Sequence, residues 1–308
     1  MKTAFLLAAF LLVATNWAFA DKRPNLDDPQ VLEKILKEAA EWKNFEKRGP
    51  VGEPLFYQKD ERIPYTGWCK KIHNNGRVVM LAEIKDGREE GLSTSWHENG
   101  KKKEQSIIQD GKKEGLSRWW YDNGQKKAEG TYKDGKAEGL FIEWREHGAK
   151  AKELTFKAGK TEGKSTLWHE NGQKRRESTS KAGKPDGSFT EWYENGKKAA
   201  EGHFKDGLPA GLNQAWYGNG QKKEEGHFKT GKPEGLFTNW HDNGEKKREG
   251  TFKDGKLDGL RSEWNKDGKL QATENYKHGK LDGPCTWYHD DGTVALSAHY
   301  KDGKEIKK

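Results

Sequence analysis

Large apolar residues fall at fixed intervals in an otherwise polar chain. Tryptophan recurs at Trp96, Trp120, Trp144, Trp168, Trp192, Trp216, Trp240 and Trp264, a step of 24 residues without slippage. Three glycine series, Gly67 to Gly283, Gly76 to Gly292 and Gly87 to Gly303, keep the same step and hold 30 of the 37 glycines. Residues 67–306 therefore read as ten copies of one small unit. From its first glycine the unit is roughly G-L-x-x-x-W-Y-E-N-G-Q-K-K-x-E-G-x-F-K-D-G-K-x-E, and GLSRWWYDNGQKKAEGTYKDGKAE at 115–138 is close to it.

Each unit carries two turn signals, Asn-Gly at unit positions 9–10 and Asp-Gly at 20–21. Glycine accepts the positive φ such turns require. The stretches between turns are of strand length, so the pattern predicts an all-β antiparallel meander of hairpins, about two strands per copy. Turn type follows from side-chain parity. A two-residue Asn-Gly loop would put Trp (unit position 6) and Phe/Tyr (position 18) on opposite faces. A type I turn followed by a left-handed glycine pairs position 7 with 11 and 6 with 12. That choice puts Leu116, Trp120 and Tyr132, or Leu236, Trp240 and Phe252, in one apolar stripe, and is preferred for that reason. Three large side chains cannot offset the conformational entropy of one unit, so stability must come from stacking neighbours.

An array needs caps. Asp27-Asp28-Pro29 is a helix start; Leu32, Ile35, Leu36, Ala39 and Trp42 follow at helical spacing, and Gly49-Pro50 is a stop. Residues 29–48 are predicted to be one amphipathic helix packed on the first copies, within a cap of residues 21–66. At the other end Lys301, Lys304, Lys307 and Lys308 charge the last strand, a defence against edge pairing. Residues 1–20 read as a signal peptide: Lys2, an apolar run from Ala4 to Val13, and Ala18-Phe19-Ala20 as the cleavage site. No segment reaches the roughly 20 apolar residues of a spanning helix. The expected product is exported, periplasmic or secreted.

Composition alone points the other way. Hydrophobic residues make up 31%, charged residues 34%, and the mean hydropathy is −1.17, values that lean toward disorder; regular placement is what specifies a fold. The net charge of +8 suits an anionic partner without requiring one. Cys69 and Cys285 occupy the same unit position in the first and last copies. At about 4.8 Å per strand they are on the order of 85 Å apart, far beyond disulfide reach, so no internal bridge is expected.

The run F-K-D-G-K-x-E-G-L-x-x-x-W-Y-x-N-G-Q-K-K resembles the MORN-repeat variant, the bacterial form found in YwqK-like antitoxins. FKDGLPAGLNQAWYGNGQKK at 204–223 and FKTGKPEGLFTNWHDNGEKK at 228–247 carry the likeness, which covers 67–306. Ile72 and Tyr288 depart from it at the tryptophan position, and Ser180 at the Phe/Tyr position. The resemblance implies elongated sheets of hairpins that serve as scaffolds or binding surfaces. The antitoxin label implies neutralisation of a partner toxin.

Candidate chemistry is sparse. The tryptophan row is either core or a binding ladder; aromatic rows bind sugar rings, but Gly67-Trp68 is the lone GW pair, and core packing is the favoured reading. An apolar face of roughly 95 Å, against a helix of about 30 Å, also suits a partner protein or a second copy. Lysine pairs at 102–103, 126–127, 197–198, 222–223 and 246–247 offer a ridge for polyanions, yet interleaved glutamates favour solvated cross-strand pairs. Histidines 73, 97, 169, 241 and 289 share one unit position and 203, 227 and 299 another, with about 10 Å between adjacent copies, too far for one zinc. No nucleophile elbow, phosphate loop, H-E-x-x-H or Cys-x-x-Cys occurs. The sequence thus predicts a non-enzymatic exported scaffold that binds protein, with no cofactor, metal or catalytic residue. The alternatives are an antitoxin or immunity protein and an envelope glycan-binding module; nucleic acid is disfavoured by export.

Overall fold

The computed structural model describes residues 23–50 and 54–306; the leader assigned to 1–20 lies outside the described residues. The chain divides into two units, residues 1–124 and 125–308.

In the second unit each copy supplies two strands. One is nine residues long and ends on the tryptophan, as in Lys136–Trp144, Lys160–Trp168 and Lys232–Trp240; this is the W strand. The other is eight residues long and carries the Phe/Tyr, as in Lys150–Lys157 and Lys246–Lys253; this is the F strand. They alternate as an antiparallel meander, as the hairpin pattern predicts. The Asp-Gly turns are two-residue type I′ loops: Asp254 and Gly255 have φ of 51° and 82°, between directly paired Lys253 and Lys256. The Asn-Gly turns are the expected three-residue loops. Gly244 N–H donates to the His241 carbonyl at 3.0 Å, and His241 N–H donates to the Glu245 carbonyl at 2.8 Å.

The single apolar stripe does not form. Trp240 pairs with Lys246 and Asn239 with Arg248, which leaves Lys247 as an extra residue in the F strand. That bulge reverses parity beyond it. Phe252 then lies opposite Gly235, and Gly250 opposite Phe237. The tryptophan and the Phe/Tyr of one copy therefore occupy opposite faces of the sheet. The leucine keeps the tryptophan's parity but is not buried there in the second unit: Gly235, at φ 79°, and Leu236 bulge out of the ladder with the preceding F strand, and Leu236 is 55% exposed.

The first unit shows what covers the two faces where the array begins. The helix runs Pro29–Glu38, with Asp28 as N-cap accepting from Gln30 N–H and Pro29 in the first turn. It is half the predicted 29–48. After Ala39 the chain turns extended, and Ala40–Glu41 pairs in parallel with Cys69–Lys70. The open edge of the first repeat strand, Gly67–Ile72, takes these residues as a partner, which ends the helix. The helix packs Ile35 and Ala39 with Leu26 on Leu81 and Leu92, beside Trp68 and Trp96, so it sits on the tryptophan face. The chain then crosses to the other face. Trp42, Phe45, Phe56 and Tyr65 pack against Cys69, Ala82 and Ile84. This segment is a short 3-10 turn, Trp42–Asn44, followed by a hairpin of Phe45–Arg48 with Leu55–Gln58. Trp42 had the helical spacing but belongs to the opposite layer.

Candidate functional site

The eight predicted tryptophans are all half-buried, Trp96 and Trp120 in the first unit and six in the second, and within the second unit the six share one face. In the second unit Trp144, Trp168, Trp216, Trp240 and Trp264 each lie under a lysine of the preceding copy. Lys126 sits 5.0 Å above Trp144, Lys222 5.3 Å above Trp240 and Lys246 5.7 Å above Trp264. These contacts are cation–π in kind. The same lysines bind glutamates three residues on: Lys150–Glu153 at 2.8 Å, Lys198–Glu201 at 2.7 Å and Lys222–Glu225 at 2.5 Å. The lysine pairs read as a ridge are thus split: in 222–223 and 246–247 one lysine folds over an indole and the other is the bulge residue, whereas at 197–198 Lys198 covers Trp216 and Lys197 donates to the Asn219 carbonyl of the next turn.

Lys222, and after it Gln214, holds the Glu225 carboxyl below the usual carboxylate range, and Lys174 with Lys164 does the same for Glu177. A carboxylate depressed in the folded state adds stability above its unfolded pKa, and that contribution is lost as pH falls through the folded value. The array is expected to lose stability between about pH 5 and pH 3 and to change little from about pH 6 to 9, as urea titrations at each pH would report.

The other face carries phenylalanine from two unit positions. Phe237 makes edge contacts with Phe228 at 5.5 Å and Phe252 at 5.6 Å between ring centroids, and Phe189 lies 5.0 Å from Phe204. Each of these rings is half-buried. The second position, Phe141, Phe189 and Phe237, was missed by the stripe reading. Its signal is a step of 48, every other copy, opposite a glycine such as Gly130, Gly202 or Gly226.

Consensus residues at the turns tie copies together. Asn219 Oδ1 accepts from Gln221 N–H at 2.9 Å while its Nδ2 donates to the Asp242 carbonyl of the next copy at 2.6 Å. Histidine or tyrosine at position 7 reaches the next tryptophan carbonyl: His169 to Trp192 at 2.7 Å, Tyr217 to Trp240 at 2.8 Å and His241 to Trp264 at 2.9 Å. The shared histidine position is therefore a clamp between copies. Substituting Asn219→Ala removes one intra-turn and one inter-copy bond and is expected to cost about 1–2 kcal/mol in chemical denaturation.

Among the described residues no group of three or more His, Cys, Asp or Glu side chains is placed to hold a metal. Cys69 and Cys285 are free and buried, one in each unit. Burial pushes the Cys69 thiol up to about 12 and raises that of Cys285. No helix among the described residues is long and apolar enough to cross a membrane.

This architecture defines a β-hairpin repeat protein whose faces are built from different aromatic rows. The profile of the MORN repeat variant matches residues 89–110, 113–134, 161–182, 185–206, 233–254, 257–278 and 281–302, and the chain belongs to that family. No curated protein matches the sequence. Among solved structures, a crystal structure of TcdB2-TccC3 is similar over 80% of this chain and 19% of its own, at 8% identity and a TM-score of 0.17. One of TcdB2-TccC3-TEV is similar over 84% and 13%, at 13% identity and a TM-score of 0.17. The chain spans less than a fifth of the length of those structures, and a likeness at this level supports no comparison of fold.

Proposed function

We propose that this chain is an exported, non-catalytic repeat scaffold that binds a protein segment on the phenylalanine face of its second unit. The observation that carries the reading is the first unit's own cap. There the chain lays Trp42, Phe45 and Phe56 on Cys69, Ala82 and Ile84, the same face at its first copy. This face is thus suited to an extended, aromatic-bearing polypeptide. In the second unit the rings of Phe189, Phe204, Phe228, Phe237 and Phe252 stay half-buried. Aromatic anchors of this kind dominate protein interfaces. The tryptophan face is the weaker candidate for sugars or proteins, because lysine ammoniums already occupy the indole faces. Export rests on the leader read in residues 1–20.

A photoreactive phenylalanine at position 189 or 237, in protein expressed in its native host, should crosslink to a partner polypeptide. The same probe replacing Lys246, which lies over Trp264 on the opposite face, should not. Adducts from position 246 alone, or none from 189 and 237, would overturn the reading.

A further inference from the structure

Strand pairing at the Asp-Gly edge puts like charges face to face. Lys157 pairs with Lys160 and Lys181 with Lys184, and all four side chains are exposed. The arrangement returns as Lys229 with Lys232 and Lys253 with Lys256. Directly opposed like charges destabilise a hairpin, so the rim calls for something that offsets them.

The nearby carboxylates do not fill that role fully. Glu138 Oε2 accepts from Ala158 N–H at 2.7 Å, and Glu162 Oε2 from Ala182 N–H at 2.7 Å. Each acid is directed at the backbone of the next turn. Other turns place an aspartate between the two lysines, as with Asp134, Asp254 and Asp302. Here the residue is Ala158 or Ala182, at φ 50° and 51°. Left-handed backbone is tolerated by Asp and disfavoured for Ala. These two adjacent turns therefore accept backbone strain and give up a negative charge at their centres. The lysines are also partly ordered: a Cβ at Gly183 would lie 3.6 Å from Lys160 Cβ, so the Lys160 stem packs along the following turn.

We infer that the rim formed by Lys157, Lys160, Lys181 and Lys184 binds a flexible linear phosphate polymer. Each opposed pair presents two ammoniums to one phosphate group, and successive pairs are about 10 Å apart. Lysine acts on phosphate as a point charge. The turns carry neither arginine nor aromatic side chains, so they offer no stacking for nucleic-acid bases. Strands twist relative to one another, so a row of turns follows a curve that a flexible polymer tracks better than a flat bilayer.

The test uses the full chain, long-chain inorganic polyphosphate, triphosphate and phosphatidylglycerol vesicles, with binding followed across salt concentrations. Wild-type protein should bind the long polymer at least tenfold more tightly than triphosphate and more tightly than the vesicles. K157Q/K160Q/K181Q/K184Q should weaken polymer binding at least tenfold and flatten the log–log salt dependence by about 1–2, near 0.7 per lost phosphate contact. A158D/A182D restores the residue that suits the turn. It should leave the melting temperature no lower than wild type and still weaken polymer binding several-fold. Polymer affinity unchanged in both variants, no polymer binding at all, or a preference for vesicles would each overturn the inference.

Discussion

Replacing Leu81 by glutamate, the residue most later copies carry at that position, is expected to detach the N-terminal helix and destabilise the first unit by about 4 kcal/mol or more. Leu81 is fully buried, 0% exposed, in a cluster with Leu26, Ile35, Ala39 and Leu92. In the second unit the corresponding glutamates sit at the surface with a lysine, as Glu153 does with Lys150 at 2.8 Å. At Leu81 the lysine three residues before is replaced by Val78, and the cross-strand Lys70 ammonium is engaged by the Leu36 carbonyl at 2.6 Å, so a carboxylate there would have to break that helix contact to find a cation, be buried unpaired, or force the helix off. Leu81→Ala, which leaves a cavity and no charge, is expected to cost about 3 kcal/mol. Glu153→Leu, the reverse change on the tryptophan face of the second unit, should cost less than about 1 kcal/mol. Urea denaturation followed by tryptophan fluorescence measures all three. A cheap L81E with an intact helix signal would mean that the helix does not pack there.

Gly226→Ala is expected to be destabilising by about 2–3 kcal/mol, although the change usually stabilises a strand through the unfolded state. A Cβ at Gly226 would lie 2.0 Å from Cδ2 of Phe237, and Gly226 is not among the glycines with positive φ. The cost is steric: the ring must leave its place between Phe228 and Phe252. In a Phe237→Ala background the same change should be nearly neutral. A G226A penalty that persists without the ring would mean that the glycine serves the backbone and not the phenylalanine face. If the face is also the binding surface, G226A should lower crosslinking from position 189 little and from position 237 strongly.

Most of the scaffold was legible because one period repeats through it. Gly244 declares the three-residue loop, and Asp254-Gly255 the two-residue loop, through backbone angles few residues accept. The helix start was equally plain in Asp28 and Pro29. Its end was not, because Trp42 has the right spacing for a longer helix and is recruited by Phe45 and Phe56 across the sheet edge. That is a tertiary decision with no local signal. The two-faced aromatic arrangement was hidden by the bulge at Lys247, since adjacent lysines at 246 and 247 do not reveal which one leaves the ladder. Only the alternate-copy phenylalanines opposite glycine, such as Phe237 with Gly226, disclose the reversed parity. The lysine rim was passed over for a similar reason: Lys157 and Lys160 are three apart in sequence and become direct neighbours only through the type I′ turn.

Separation of the two aromatic rows is tested most directly by a pair of double-mutant cycles in the second unit. Phe237 and Phe252 touch edge to face, so their alanine cycle should show a coupling of about 1 kcal/mol. Trp240 and Phe252 belong to one copy but to opposite faces, so their cycle should be additive within about 0.3 kcal/mol. Strong coupling between Trp240 and Phe252, with none between Phe237 and Phe252, would restore the single stripe and contradict the two-faced sheet.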